Sequence, residues 1–535
     1  MTHVSRGLLF AFEILIVCAL TLTTRCANYQ DVFVGGHIYF TDADCYARMT
    51  RVRLCSQHPG LVLRHHSFEN SPQGTTPHTT APLDYAILTL NLILQPFTSR
   101  AIDLAGALIS PLLALIGAVF LCWWSHRMRL SYRWVLLTLY IFSPILVHGT
   151  ALGRPDHQSL ALLLVVVGVC ADWARQESEQ VSWSIASGLA WGMAIWVSAY
   201  EPLILFAIAS LTTFGLQLTK EKAEHGDSKS RSKSLSARPN WLCWLILTAT
   251  LAFALLVERR IPSFSVLVSS PIAHNWARTV GELAPIPLIS KIWFSWVGWT
   301  IVVVPFLIGI AIRAKRIDCT LGRITILAFL TCCLTMWQAR WGYYFAAMFG
   351  LGLPLWLGAI RSKSLAWTLF LISLWPLLRD WDQRIWPNEV MASRQIEQRH
   401  EAIEMRELSL NLISPDRRPF LAPWWLSPAI AYWSGQPGVA GSSHESLTGI
   451  ADTAEFYLVE NPTVAEQILA KHRVAWVVGY DADRVIQNSA AILGKAAPGR
   501  CLARVLDQRP MQAPVLLLLS AQNGTAKIFQ VTQKW

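Results

Sequence analysis

Two stretches near the N-terminus decide the fold: GLLFAFEILIVCALTLTT at residues 7–24, and Asp42-Ala43-Asp44-Cys45-Tyr46-Ala47-Arg48 shortly after it. The first is apolar over about the length that a membrane-spanning helix needs. The second carries two carboxylates one residue apart, which repel each other unless a cation lies nearby. Hard cations such as Mg²⁺ or Mn²⁺ bind through carboxylate oxygens. The pair of stretches predicts a helix that leads into a metal-binding loop at the membrane surface; a solvated acidic turn is the alternative.

The composition of the whole chain is that of a polytopic membrane protein. Its 535 residues are 53% hydrophobic and 15% charged, and the mean hydropathy is +0.37. A soluble chain cannot bury that much apolar surface. The formal net charge is +11, and its Lys and Arg lie between apolar runs, an arrangement that suits anionic lipid headgroups. We therefore expect the lipid bilayer as a partner and no nucleic acid.

Apolar runs recur over the first 380 residues and predict about eleven transmembrane helices. They lie at 7–24, 101–124, 134–150, 158–172, 183–199, 203–217, 240–257, 293–312, 324–338, 343–359 and 364–378. The first run lacks a small-residue cleavage site, so it predicts a retained span and not a signal peptide. The segment 83–97 follows Pro82 and includes Pro96, and it predicts a helix that lies on the membrane or re-enters it. The positive-inside rule places the N-terminus in the cytoplasm.

The composition changes towards the C-terminus. Residues 380–535 contain no run of span length, and they alternate strand-like pieces at 475–480 and 515–520 with an amphipathic helical pattern at 463–472. These features predict a transmembrane domain at 1–379, with a large outer loop at 25–100, and a soluble α/β domain at 380–535. An odd number of spans places the second domain outside the cytoplasm.

The eleven cysteines show no spacing typical of a zinc site. Cys26, Cys45 and Cys55 would share the outer side, where a disulfide is permitted. Three is an odd number, so a disulfide among them stays an open possibility.

Ionisable residues that are unusual at a membrane boundary fall on one predicted side. These residues are Asp42, Asp44, Asp156, Glu282 and Arg340. Such groups are costly at a membrane and usually mark function. Each alone also suits a snorkelling or helix-capping residue, and Glu282 has the T-x-x-E spacing of a capping box. Because all of them share one side, beside a folded domain, they favour a single functional site.

Four motifs, in order along the chain, resemble the catalytic subunit of oligosaccharyltransferase, the family of PglB and AglB within the GT-C glycosyltransferases. They are D-A-D-C-Y-A-R at 42–48, T-A-P-L-D-Y at 80–85, G-R-P-D-H-Q at 153–158 and T-V-G-E-L-A-P at 279–285. The resemblance implies a multispan GT-C fold, an outer active site, a divalent cation (Mg or Mn) and a sugar donor linked to a polyprenyl phosphate or diphosphate. We expect a multi-pass protein of the bacterial inner membrane whose active site faces away from the cytoplasm.

The resemblance also implies roles for the acids. Asp42 corresponds to the first metal-binding and catalytic acid, judged by its spacing of six residues in the sequence from Arg48. Asp44 is the alternative for that role. Asp156 corresponds to the first acid of the second motif. The family usually has Asp, Glu or His two positions later, where this chain has Gln158, and an amide oxygen is a weaker ligand. The further candidates for the metal shell are His157, His65, His66 and His78.

The remaining roles concern the substrates. Glu282 corresponds to the catalytic glutamate of the family's T-I/V-x-E motif, and Arg340 to an arginine near the donor's phosphates. Pro423-Trp424-Trp425-Leu426-Ser427-Pro428 is similar to W-W-D-Y-G, the family's reader of Ser or Thr in the acceptor sequon. Leu426 replaces the aspartate and cannot accept a hydrogen bond from a hydroxyl. Trp424 and Trp425 are the candidate acceptor-binding residues, and core packing is the alternative.

The predicted function is transfer of a sugar or oligosaccharide from a polyprenyl-linked donor to an acceptor outside the cytoplasm, foremost protein glycosylation of the oligosaccharyltransferase type. The alternative within this class is a GT-C transferase acting on a lipid, a polysaccharide or a hydroxyl. A transporter of lipid-linked sugars would place its ionisable groups near the bilayer midplane and show repeated halves. The acids lie in loops and no internal repeat is visible, so transport and a non-enzymatic scaffold are weaker alternatives.

Overall fold

The computed structural model describes residues 3–77, 81–178, 180–225, 241–261, 270–313 and 319–532; His78 lies outside these ranges. The elements up to Leu357 are α1 His3–Arg25, α2 Tyr29–Val32, β1 Phe33–Val34, β2 His37–Ile38, α3 Ala43–Gln57, α4 Ala81–Leu94, α5 Ala101–Arg127, α6 Arg133–Phe142, α7 Pro144–Gly149, α8 His157–Glu177, α9 Val181–Val197, α10 Tyr200–His225, α11 Trp241–Glu258, α12 Pro271–Ala277, α13 Lys291–Val297, α14 Thr300–Arg313, α15 Cys319–Trp337 and α16 Gly342–Leu357. Short 3₁₀ turns at Gly281–Leu283 and Ala339–Trp341 carry two of the predicted site residues.

Five helices of the described residues are long and apolar enough to cross a membrane: Gly7–Arg25, Ala101–Arg127, His157–Glu177, Trp241–Glu258 and Cys319–Trp337. A sixth span results if α13 and α14, which meet at an angle of 75°, are counted together. Four shorter helices are also apolar: Ala81–Leu94, Arg133–Phe142, Val181–Val197 and Tyr200–Leu216. The chain is an integral membrane protein, and the total of eleven spans stays a prediction.

Two predicted spans are broken at prolines. The run 134–150 forms α6 and α7, because Pro144 lacks an N–H and holds Ser143 in an extended conformation (φ −61°, ψ 117°). The run 364–378 likewise forms α17 Lys363–Ser373 and the start of α18 Trp375–Ile385. Apolar composition continues across both breaks, so hydropathy alone does not reveal them. The predicted domain boundary at residue 380 falls inside α18.

The segment 83–97 forms most of the 14-residue helix α4. A helix of that length extends about 21 Å, short of the roughly 30 Å hydrocarbon core, so α4 cannot cross alone. Leu83 and Ile87 are buried, and Asp84 accepts a 2.7 Å hydrogen bond from Arg48 of α3. This buried ion pair fixes the first outer loop against the helical core.

The C-terminal part has its own hydrophobic cluster around a small sheet. Its elements are α19 Glu389–Leu410, β3 Phe420–Leu421, α20 Ser427–Ser434, α21 Leu447–Leu458, α22 Pro462–His472, β4 Trp476–Gly479, α23 Ala482–Leu493, α24 Leu502–Gln508, β5 Leu517–Asn523 and β6 Ala526–Val531. The strand order is β3-β4-β6-β5, with β3 parallel to β4 and the other pairs antiparallel. Strands and a helix thus lie where the patterns at 475–480, 515–520 and 463–472 predict them. The division into two domains stays a prediction.

The C-terminal part is attached to the first outer loop. Arg53 of α3 donates a 2.9 Å hydrogen bond to the carbonyl of Tyr432, and its guanidinium lies 3.5 Å from the centroid of the Tyr432 ring. Cys26, Cys45 and Cys55 are all free thiols, so the disulfide that the sequence left open is not formed.

Candidate active site

The turn before α8 brings the second acidic motif to the first. Gly153 has a φ of +74°, and a Cβ there would come within 2.7 Å of Val32. The absent side chain lets the turn lie against the first outer loop, where Thr41 N–H donates to the Gly153 carbonyl at 3.0 Å. Asp42 follows directly and caps α3 by accepting from the backbone N–H of Cys45 at 2.9 Å. A glycine turn and a helix cap therefore place the two motifs side by side.

Arg154 is the centre of the acidic cluster. Its Nη1 lies 3.0 Å from Asp42 Oδ2, and its Nη2 lies 2.6 Å from Glu282 Oε1 and 3.6 Å from Asp156 Oδ2. The side chain is 5% exposed. Three acids that are far apart in sequence thus meet on one buried guanidinium, whose fork suits several carboxylates at once.

Both oxygens of Glu282 are held by neighbours. Oε1 accepts from Arg154 and from the Tyr343 hydroxyl at 3.3 Å, and Oε2 accepts from Gln158 Nε2 at 2.9 Å. A carboxylate has about four acceptor positions. Among the described residues these contacts use three of them, so the orientation of Glu282 is set and one position on Oε2 is left for another donor.

The acids crowd one another. Asp156 Oδ1 lies 2.7 Å from His157 Nδ1, and with the nearby arginines this imidazole lowers the pKa of Asp156 although burial opposes it. Asp44 accepts a hydrogen bond from Ser442 of the C-terminal part. The neighbouring carboxylates of Asp42, Asp156 and Glu282 raise the pKa of Asp44 above its usual range.

Arg340 lies next to this cluster. The Ala339 N–H donates to the Ala284 carbonyl at 2.9 Å, which ties the turn of Arg340 to the turn of Glu282. Arg340 forms an ion pair with Glu201, a buried carboxylate at the start of α10. Ser198 Oγ donates to the other oxygen of Glu201 at 2.7 Å. The predicted donor-binding arginine is therefore already paired.

Of the two adjacent tryptophans, Trp424 lies where the C-terminal part meets the segment before Glu282. Trp424 packs edge-to-face on Trp276 of α12, with 5.9 Å between ring centroids, and its Nε1–H donates to Asn488 at 2.9 Å. Trp425 Nε1 is buried and has no hydrogen-bond partner among the described residues. Leu426 packs against the hydrophobic cluster of the C-terminal part. Trp424 is thus at the boundary between the two parts, but its N–H is already engaged.

Comparison with known proteins places this geometry in a known fold. No family model and no curated protein matches the sequence. Among solved structures, the chain is similar to the oligosaccharyltransferase AglB from Archaeoglobus fulgidus in complex with an inhibitory peptide and a dolichol-phosphate, with a TM-score of 0.68 at 14% identity over 92% of this chain and 71% of that chain. The same enzyme in complex with Zn and sulfate gives a TM-score of 0.62 at 14% identity over 90% and 69%. ArnT from Cupriavidus metallidurans, bound to undecaprenyl phosphate, gives 0.56 at 13% identity over 99% and 98%.

The chain has the GT-C fold. The resemblance found in the motifs is confirmed at the level of fold.

The motif resemblance implies a divalent cation, one of the similar structures contains Zn and sulfate, and the residues at this site supply suitable ligand chemistry. Asp42, Asp156 and Glu282 are hard carboxylate donors, and Gln158 Oε1 is buried without a hydrogen-bond partner among the described residues. No group of three His, Cys, Asp or Glu side chains in the described ranges converges at metal-binding distances. Arg154 lies between the acids instead. The donor set fits a cation, and Arg154 supplies a positive charge at the same place.

The other histidines named from the sequence lie elsewhere. His65 packs at the turn of Gly74. His66 is buried 3.8 Å from Glu69, beneath the C-terminal part, and burial lowers its pKa to about 3. Neither is among the residues that surround Arg154.

Sequence reasoning missed three residues of this GT-C site. Arg154 was not singled out, although it lies inside the G-R-P-D-H-Q motif. Glu201 gave a signal, because a carboxylate at the start of an apolar run is costly and suggests a partner. Tyr343, in an apolar run, gave none, since only the tertiary structure places its hydroxyl beside Glu282.

Proposed function

We propose that this protein is a membrane glycosyltransferase that transfers a sugar from a polyprenyl-linked phosphate donor to an acceptor on the outer face of the membrane. One observation carries the proposal: acids from three separate loops meet on Arg154, and the loop of Glu282 is hydrogen-bonded to the turn of Arg340. The similar structures support it, since one is of an oligosaccharyltransferase with a dolichol-phosphate and another of ArnT with undecaprenyl phosphate. The bacterial inner membrane is the proposed location.

The chemistry requires an acceptor atom to attack the anomeric carbon while the bond from that carbon to the phosphate oxygen breaks. The free acceptor position of Glu282 suits the donor group of an incoming nucleophile, and its fixed orientation is what such a role needs. Arg340 would hold the phosphate whose charge grows as the bond breaks. A divalent cation held by Asp42 and Asp156, with Gln158 and His157 beside them and Asp44 as a further ligand, would add electrostatic stabilisation of that phosphate.

The identity of the acceptor separates two candidate functions. Protein glycosylation is the first candidate, because one of the similar structures contains a peptide and because Trp424 packs on Trp276 of α12, six residues before Glu282 in the chain. Transfer to a lipid, a polysaccharide or a hydroxyl is the second. It is favoured by Leu426, which packs in an apolar cluster, and by the N–H of Trp424, which already donates to Asn488.

The test is sugar transfer by the purified full-length protein in lipid nanodiscs. Polyprenyl-linked donors with one and with two phosphates are supplied with Mg²⁺ or Mn²⁺, and N-x-S/T peptides and envelope lipids are offered as acceptors. Mass spectrometry then identifies the modified acceptor. Asp156→Asn should lower transfer by at least about 100-fold, the scale of a lost electrostatic or acid–base group.

Asp172→Asn is the matched control, since Asp172 is a carboxylate near the opposite end of α8 that accepts hydrogen bonds from Ser187 and Trp191. It should retain transfer. Full activity of Asp156→Asn would contradict the proposed site, and full activity in excess EDTA would contradict the cation alone. The class of acceptor that gains mass decides between the two candidates.

A further inference from the structure

The arginines that face the acidic cluster each have a carboxylate partner of their own. Arg48 is paired with Asp84 at 2.7 Å, and both side chains are at most 8% exposed. Arg154 is shared among the three acids described above. Arg340 is paired with Glu201, whose side chain is 2% exposed. The positive charge at the site is therefore largely compensated before any donor arrives.

The acidic cluster itself leaves little positive charge for a further anion. The three acids that contact Arg154, which are Asp42, Asp156 and Glu282, carry three negative charges when ionised, and Asp44 interacts with all three as a fourth acid. Arg154 with one divalent cation would carry only three positive charges. The donor's phosphate then depends on Arg340. One of that side chain's donors faces Glu201, while its Nε is buried and has no partner in the described part of the chain. Arg340 thus offers a hydrogen-bond donor to a phosphate but not a full uncompensated charge.

The number of phosphates in the donor changes this balance. A sugar joined to a polyprenol through one phosphate is a diester with one negative charge, whereas a diphosphate linkage carries two. Placing an extra charge in a partly buried site without a counter-ion is unfavourable. Because the arginines are already paired with carboxylates, the site accommodates the donor with one phosphate better than the donor with a diphosphate.

We propose that the site takes a sugar linked to the polyprenol through a single phosphate, and that Glu201 sets this preference by neutralising Arg340. This inference rests on the proposed function. The transfer breaks the bond between the anomeric carbon and the phosphate oxygen, and both electrons leave with the polyprenyl phosphate. The acceptor atom forms the new bond and gives its proton to a carboxylate, for which Glu282 is placed. Glu201 acts through Arg340 and is a positioning residue.

The first experiment measures binding, which does not need the acceptor to be known. Undecaprenyl phosphate and undecaprenyl diphosphate carry no sugar, but like the two donors they differ from each other by one phosphate and its negative charge. Both lipids are titrated against the full-length protein in nanodiscs with Mg²⁺ by isothermal calorimetry. The wild type should bind the monophosphate at least about tenfold more tightly, a difference of about 1.4 kcal/mol. Glu201→Gln frees the charge of Arg340 while keeping the side-chain shape, so the diphosphate should gain affinity and the ratio should fall to about twofold or less.

Two further variants separate charge from structure. Glu201→Asp keeps the charge, and Ser198→Ala removes the 2.7 Å bond to Glu201 but leaves that charge in place, so both should keep most of the wild-type ratio. Asp172→Asn controls for the loss of a carboxylate elsewhere. A wild type that prefers the diphosphate, or an unchanged ratio in a folded Glu201→Gln protein, would overturn the inference.

The second experiment compares transfer from matched donors that differ only in one or two phosphates. Transfer from the monophosphate donor alone supports both this inference and the proposed function. Transfer from the diphosphate donor alone would refute the inference and leave the proposed function standing. Binding of neither lipid, together with no transfer from either donor, would refute both.

Discussion

Replacing Arg154 by methionine removes the cation on which the acids meet but keeps most of the side chain's apolar volume. Removing one partner of a buried ion pair typically costs about 3–5 kcal/mol, because the other charge stays buried. Arg154 and Asp156 are 5% and 7% exposed, but Asp42 and Glu282 are 35% and 33% exposed, so solvent screens part of the loss. We therefore expect a loss near the lower end, about 3 kcal/mol, and a fall of roughly 3 °C in the unfolding temperature of a chain of this length.

The same substitution should make the protein respond more strongly to divalent cations. With the guanidinium gone, three carboxylates face one another, and a bound Mn²⁺ or Mg²⁺ replaces the missing charge. A ligand at 100 times its dissociation constant stabilises the folded state by about 2.7 kcal/mol, which recovers most of the expected loss. The assay is thermal unfolding of the detergent-solubilised full-length protein in EDTA and in increasing Mn²⁺.

Arg25→Met is the matched control for this experiment. Arg25 is 1% exposed, and it donates to Thr150 Oγ1 at 3.0 Å and to the Tyr140 carbonyl at 2.7 Å, so its loss should destabilise the protein without a gain in cation response. Equal cation responses in wild type and Arg154→Met would refute the view that Arg154 and the cation supply charge at the same place. The same view would be refuted if Arg154→Met and the wild type unfolded at the same temperature in EDTA.

Three further predictions concern Glu69, Glu282 and Leu426. Burial raises the pKa of Glu69 to about 7, so between about pH 4.5 and pH 7 the folded state holds a proton there that the unfolded state releases, and the contribution of Glu69 to stability is lost as pH rises through that range. The neighbouring His66, whose pKa is lowered, contributes the opposite slope. Glu69→Gln should therefore make the unfolding temperature fall less, or rise more, with pH than in the wild type, and an unchanged pH dependence would contradict this. In a peptide-glycosylation assay, Glu282→Gln should lower turnover by about 100-fold or more with little change in unfolding temperature. In the same assay Leu426→Asp should improve the use of an N-x-S/T peptide, and efficient use of that peptide by the wild type would rule out a diverged acceptor reader.

The local sequence determined the class of the protein and the identity of its acids. Hydropathy marks a membrane protein because a run of apolar residues must be covered by lipid or by protein wherever it lies in the chain. The positions of Asp42, Asp156, Glu282 and Arg340 were visible because ionisable groups beside such runs are costly. Their assignment to one side needed only the order of the spans, and the structure brings all four together.

Only the tertiary structure decided how these charges are paired. Arg154 meets acids from loops more than 100 residues away, and Glu201 meets Arg340 across a similar separation. Pairing depends on a positive φ at Gly153, a hydrogen bond between the Ala339 and Ala284 backbones, and breaks in apolar runs at Ser143 and Leu374. None of these changes the local hydropathy, and a single sequence carries no record of which distant groups touch. For that reason the sequence alone predicts which residues carry charge, while the fold decides which of those charges remain available to a substrate.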